Sequence, residues 1–250
     1  MIMYLNILII AYIYEKNRKF FTSTEIRNFC PYKTGSFESK KQEIFKMKKI
    51  GLMIVGGIAI IIIASFYFDA QIVKGISFLR SGFLDELFLG ITFISSEIII
   101  FFFLTSLFLW QERKRKWILP LWFTLLMSAI ISFILKSAVQ RARPFQLGIV
   151  SILPVLEKTN YVVWNFSFPS FQAMLAFCAV PILSKEFPKF KYIWIIFASL
   201  VAFSRVYFGV HFLSDVIAGG LIGYLLGWIV IKIEKENGFW GGIYNKILEI

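Results

Sequence analysis

Six long apolar stretches dominate this chain, at about 49–68, 86–110, 117–139, 169–184, 191–209 and 211–233. A helix needs about 20 apolar residues to cross the hydrocarbon of a bilayer. Inside lipid the backbone must satisfy its own hydrogen bonds, which leaves helices or closed barrels. Runs of this length predict an all-α fold, a bundle of six transmembrane helices. Composition removes the alternatives. Of the 250 residues, 58% are hydrophobic, Phe alone accounts for 29 and Trp for 7, and the mean hydropathy is +0.73. Soluble domains run roughly 45–50% apolar, and disordered chains far lower.

The residues flanking this six-span unit read differently. Residues 1–14 are apolar but too short to span, and residues 15–46 are polar without a clear period. Met47 opens a new run with Lys48 and Lys49. The expected organisation is residues 1–46 as an extension ahead of a natural start at Met47 or as a poorly ordered cytoplasmic arm, a six-span membrane domain over 47–235 and a short cytoplasmic tail over 236–250.

Lys and Arg number 27 against 15 Asp and Glu, a net charge of +12. On a membrane chain that excess marks cytoplasmic loops facing anionic lipid, not a nucleic-acid surface. Arg113, Lys114, Arg115 and Lys116 lie between the second and third runs. Lys185, Lys189 and Lys191 lie between the fourth and fifth, and Lys232 and Lys235 follow the sixth. The positive-inside rule then puts both termini in the cytoplasm and the loops after runs one, three and five outside. The cysteines, Cys30 and Cys178, make no disulfide framework, and the single histidine, His211, leaves no Cys/His metal cluster. Gly219, Gly223 and Gly227 recur every fourth residue of the last run, a small-residue ridge for close helix packing.

Ionisable residues at membrane helices are costly and mark function. Here they gather at the outward ends of runs three, five and six, in three blocks. The first spans Lys136 to Arg143 and Pro144, the second is Pro169-Ser170-Phe171-Gln172, and the third holds Ser204, Arg205, His211 and Asp215. His211 and Asp215 stand four apart and share a helix face. A carboxylate beside an imidazole fixes its tautomer and stabilises its cation. Arg205 presents a guanidinium fork suited to phosphate oxygens. Lys136 and Arg143 share a face seven residues apart, before Pro144 ends the helix. Ser170 opens a helix after Pro169, where hydroxyl and amides suit an anion. Taken together they suggest a phosphate cradle with a histidine nucleophile.

These blocks resemble the signature of the type 2 phosphatidic acid phosphatase superfamily of membrane lipid phosphatases: K-x6-R-P, then P-S-G-H, then S-R-x5-H-x3-D. The resemblance covers roughly residues 85–230, and the first and third motifs match in full. It implies a hydrolase needing no metal or other cofactor, acting on a lipid phosphate or diphosphate, with no nucleic-acid partner. It further implies that His211 attacks phosphorus to form a phosphohistidine and that Asp215 orients it. Lys136, Arg143, Ser170 and Arg205 would hold the phosphoryl oxygens.

The second motif departs from the pattern. Where the family has the histidine that protonates the leaving oxygen, this chain has Gln172, and no second histidine exists to replace it. A phosphate monoester expels an alkoxide that needs a proton, and general-acid help contributes roughly 10²–10⁴-fold. A diphosphate expels a phosphate monoester, a much weaker base with a second pKa of about 6. Gln172 therefore favours a polyprenyl diphosphate, such as undecaprenyl or dolichyl diphosphate, hydrolysed at the outer face of the cell membrane. The alternatives are a phosphatidate or other lipid monophosphate phosphatase, a lipid-phosphate-binding pseudo-phosphatase, and a phosphotransferase. Glu97, Glu157 and Tyr161 are surrogate acids to weigh, although Glu97 is expected to be a buried pairing partner and Glu157 a solvated loop residue. Trp164 and Phe168 lie where they can seat lipid at the interface.

Overall fold

A computed structural model describes residues 63–151 and 166–248 continuously, with isolated helical positions from 45 to 60. The chain divides into two units, Met1–Gly57 and Ile58–Ile250. The first contributes only the helical positions Phe45, Lys49, Met53, Gly56 and Gly57, so most of the expected extension lies outside the described residues. The second unit carries everything below. The regular elements among its described residues are helices, with no strand.

We number the helices in chain order. Helix α1 is described over 63–77, and α2 covers Gly82–Ile94, opened by the Ser81 side chain accepting from Leu84 N. Helix α3 covers Glu97–Leu109. A 3-10 turn over Glu112–Trp117 leads into α4, Ile118–Val139. Then come α5 (Phe171–Glu186), α6 (Lys191–Tyr207), α7 (Leu213–Asn237) and α8 (Phe239–Leu248).

Among the described residues, three helices are long and apolar enough to cross a membrane, Glu112–Val139, Pro188–Tyr207 and Leu213–Asn237. A fourth span results if α2 and α3 count as one, bent by 60° at their junction. The run expected to be one helix over 86–110 is thus two. Ser95 and Ser96 occupy the break, and Ser95 Oγ donates to Thr92 O at 3.1 Å. Serine hydroxyls compete with the helical ladder in this way, and serine pairs are a common site of kinks. Of the first expected span, 49–68, residues 63–68 are described continuously, and their helix runs on to residue 77. Asp69, the apparent end of that run, is buried at 2% exposure and fully partnered, so its charge does not stop the helix.

Helix α5 has 16 residues, and almost its whole middle is buried, from Ala173 to Leu183 apart from Phe177. Protein surrounds it: α4, α6 and α7 all pack on it. The glycine ridge makes the tightest of these seams. A Cβ built on Gly219 would stand 2.5 Å from Ser170 O, one on Gly223 2.2 Å from Met174 O, and one on Gly227 2.2 Å from Cys178 O. Helix α7 therefore lies against the α5 backbone along its length, starting at Ser170. The Cys178 thiol is buried in this core and donates to Leu175 O. Outward faces carry exposed Phe102, Phe133, Ile196 and Leu225, as expected where lipid replaces water.

Candidate active site

The turn between α6 and α7 explains the five-residue gap separating Arg205 from His211. Gly209 takes φ +68° just past the helix end, a conformation favoured by glycine. Gly209 N donates to Val206 O and Val210 N to Arg205 O, the paired bonds of a Schellman ending. His211 N also donates to Arg205 O, at 3.3 Å. The carbonyl of Arg205 thus anchors the backbone of His211. A side chain at 209 would put its Cβ 2.4 Å from Val150 Cγ2, so the turn is closed from both sides.

His211 is buried at 4% exposure. Its Nδ1 lies 2.7 Å from Ser167 O, and a carbonyl can only accept, so Nδ1 carries the proton. Nε2 is then left with its lone pair, the state a nucleophile requires. Asp215 Oδ2 lies 3.8 Å from the same Nδ1. The tautomer expected to be set by Asp215 is therefore held directly by the Ser167 carbonyl. The Asp215 oxygens accept instead from Phe212 N at 2.8 Å and from Arg141 Nη1 at 2.7 Å. Burial pushes the His211 imidazole down to about 3, with Arg143 and Lys136 acting the same way and Asp215 opposing. The ring is neutral at neutral pH.

Of the three cations read from the motifs, Lys136 and Arg143 act on this residue, and Arg205 is joined to it through its main chain. Lys136, at the last turn of α4, is buried and donates to Phe166 O at 2.6 Å. Gln140 in the left-handed region ends that helix, its N–H bonding Lys136 O. Arg143 is buried and its Nη1 reaches Val210 O at 3.4 Å. Arg205 donates from Nε to Ser204 Oγ, from Nη1 to Gln172 Oε1 at 2.5 Å, and from Nη2 to Thr92 Oγ1. Ser170, the N-cap residue of α5, donates its backbone N–H to Asp215 O at 3.0 Å. Its hydroxyl is buried without a hydrogen-bond partner among the described residues.

Gln172 sits in the first turn of α5, where the family's second motif puts histidine. Its carbonyl end is occupied by Arg205, which leaves the NH₂ end to face other groups. Phe168 meets Phe66 in a tilted pair, ring centroids 6.0 Å apart, and precedes a cis peptide to Pro169. Glu157, Tyr161 and Trp164 lie outside the described residues. Glu97 is not the buried partner expected. It is exposed at the α2–α3 break and lines a cavity of about 320 Å³ with Phe101, Leu125, Phe171 and Leu175.

Five residues of the site escaped the sequence reading. Thr92 reaches Arg205 from α2. Ser167 acts through its backbone. Arg141, inside the first motif, pairs with Asp69 at 2.8 Å and with Asp215 at 2.7 Å. Ser214 joins the same cluster through Arg141 and Asp69. An ionisable residue at the edge of an apolar run was the available signal for Asp69, whereas a backbone carbonyl leaves none.

Known proteins share this architecture. The sequence profile of the PAP2 superfamily matches residues 117–239. The chain is 32% identical over 134 residues to an undecaprenyl-diphosphatase of Sulfolobus acidocaldarius, covering 53% of this chain and 63% of that relative, so it spans somewhat less than two thirds of that protein. It is 30% identical over 187 residues to phosphatidylglycerophosphatase B of Bacillus subtilis, covering 67% of this chain and 84% of the relative. The crystal structure of a PAP2-type phosphatidylglycerolphosphate phosphatase from Bacillus subtilis superposes with a TM-score of 0.59 at 24% identity, over 74% of this chain and 96% of that one. That of Aquifex aeolicus LpxE superposes with a TM-score of 0.53 at 30% identity, over 66% and 95%. With all three motif positions gathered at one end of the same helical frame, this chain belongs to the PAP2 superfamily.

Proposed function

We propose that the chain is a membrane lipid phosphatase that works through a phosphohistidine and prefers a polyprenyl diphosphate. Nε2 of His211 attacks the terminal phosphorus, the bond to the bridging oxygen breaks, and the lipid monophosphate leaves. Water then attacks the phosphohistidine and releases inorganic phosphate. Lys136, Arg143 and Arg205 balance the charge on the phosphoryl oxygens, and the Ser170 hydroxyl donates to one of them. Asp215 supports the imidazole as it becomes cationic.

The observation that carries the preference is Gln172. With its Oε1 held by Arg205, its NH₂ group can donate a hydrogen bond to a leaving oxygen but cannot surrender a proton. An alkoxide needs that proton, and a phosphate monoester does not. The undecaprenyl-diphosphatase relative agrees with this reading. The phosphatidylglycerophosphatase relative favours a second one, a lipid monophosphate phosphatase, in which Glu97, Glu157 or Tyr161 supplies the proton. In either case loop charges favour six spans with both termini cytoplasmic and a site open to the outside of the cell membrane.

The test is phosphate release by the purified chain in detergent from undecaprenyl diphosphate, undecaprenyl monophosphate and phosphatidate, with His211→Ala as control. Release from the diphosphate alone, lost in the variant, supports the proposal. Equal release from the monoesters refutes the diphosphate preference. Binding without release refutes the enzyme and leaves a lipid-phosphate-binding protein.

A further inference from the structure

Behind His211 lies a second layer of charge that the motifs do not assign. Asp69, in the middle of α1, is buried at 2% exposure and reaches the start of α7 across 145 residues of sequence. Its Oδ1 accepts from Ser214 N at 3.0 Å, and its Oδ2 accepts from Ser214 Oγ and, at 2.8 Å, from Arg141 Nη2. A helix leaves its first N–H groups without internal partners, and a carboxylate there is favoured by the helix dipole. Asp69 fills this role for α7 from another helix, three residues beyond His211.

Arg141 is shared. Nη2 binds Asp69 while Nη1 binds Asp215 Oδ1 and Ser214 Oγ, both at 2.7 Å. Its guanidinium carbon lies 4.0 Å from the centre of the Phe212 ring and 5.1 Å from that of Phe66. A planar fork can serve two carboxylates at once in fixed directions. The backbone of Arg141 matters as much. Its carbonyl accepts from Ser167 N at 2.8 Å, and Ser167 O is the group that holds His211 Nδ1. Arg141 therefore touches both partners of the imidazole, Asp215 through its side chain and Ser167 through its main chain. Asp69 in turn fixes Arg141 and balances its charge.

We propose that Asp69 and Arg141 are a positioning pair, which sets the Ser167 carbonyl and the Asp215 carboxylate against His211 without touching the substrate. Without Asp69, the Arg141 cation would fall wholly on Asp215 and draw that carboxylate from the imidazole it must support. The inference rests on the phosphohistidine reading above. It places part of the site on α1, outside residues 117–239 matched by the family profile.

The test uses the full chain with Asp69→Asn, Arg141→Gln, the double variant and His211→Ala, each assayed on undecaprenyl diphosphate in detergent micelles. Asparagine keeps an acceptor for Ser214 N and removes the charge facing Arg141. A displacement of about 1 Å at a reacting group can cost ~10²-fold. Each single variant should lose kcat on that scale with KM unchanged, and the double variant should lose no more than the worse single one. Thermal unfolding in the same micelles separates position from stability. Full kcat per folded molecule in Asp69→Asn, a change in KM alone, multiplied losses in the double variant, or failure of Asp69→Asn to fold would each overturn the proposal and leave a structural fastener. Retained turnover in His211→Ala would instead overturn the phosphohistidine reading on which it rests.

Discussion

The two ends of the helical bundle use the same basic residues in opposite ways. At the end carrying Glu112–Trp117, Lys114 Nζ donates to the carbonyl of Glu186 in the last turn of α5 and lies 3.6 Å from the centre of the Phe187 ring. Lys185 Nζ stands 4.3 Å from that of the Trp117 ring. These cations meet a helix C-terminus and aromatic faces, where positive charge is favourable and still reaches solvent. At the His211 end, Lys136, Arg143 and Arg205 are buried, and Asp69 and Asp215 are buried with them. Burying so much charge is costly unless each group is paired or awaits a ligand. Positive charge thus meets helix ends and aromatic faces at one end and is buried beside carboxylates at the other. The distinguishing marks are burial and the carboxylates nearby, not the number of lysines and arginines.

The sharpest break in that symmetry is His211→Ala. It should abolish phosphate release, a loss of ~10⁴-fold or more given what removing a nucleophile costs in comparable enzymes, measured by turnover of undecaprenyl diphosphate. Next comes a matched pair. Arg143→Ala should lower kcat by about 10²–10³-fold, the scale for one preorganised charge-stabilising donor. Lys114→Ala should leave turnover intact and cost about 1 kcal/mol of stability through its lost cation–aromatic contact. Equal losses at the two ends would contradict the division.

Between the ends, Gly223→Ala tests the seam that joins them. A methyl group there meets Met174 O, and overpacking of this kind costs about 1–3 kcal/mol, seen as a lower melting temperature. The smallest effect is on pH. The folded-state pKa of His211 is depressed from an ordinary value near 6.5 to about 3. Protons bind the unfolded chain first, so this residue's contribution to stability is intact above pH 6.5 and is lost as pH falls toward 3. Wild-type protein should therefore lose more stability than His211→Gln between pH 7 and pH 4.5, measured by thermal unfolding.

Much of this was legible in the sequence because it rests on fixed spacing. The glycines at 219, 223 and 227 announced a close seam, since every fourth residue of a helix shares a face. The Arg205 to His211 interval was readable because one turn with Gly209 at its centre closes it. What escaped reading depends on long-range contact. Asp69 looked like the end of a span, and only its partners 72 and 145 residues away make its burial possible. Arg141 looked like a spacer between Lys136 and Arg143. The break at Ser95 and Ser96 lay hidden in an unbroken apolar run, because hydropathy reports burial in lipid and not direction. Ser167 works through a carbonyl that any residue would supply.

The central claim is that Gln172 restricts the enzyme to leaving groups that need no proton. Gln172→His tests it most directly, through the ratio of turnover on undecaprenyl diphosphate to turnover on undecaprenyl monophosphate, before and after the change. The account predicts a large wild-type ratio that collapses in the variant, as monoester hydrolysis rises by roughly 10²–10⁴-fold and diphosphate hydrolysis changes little. A wild-type ratio near one, or a variant that leaves monoester turnover unchanged, would contradict it.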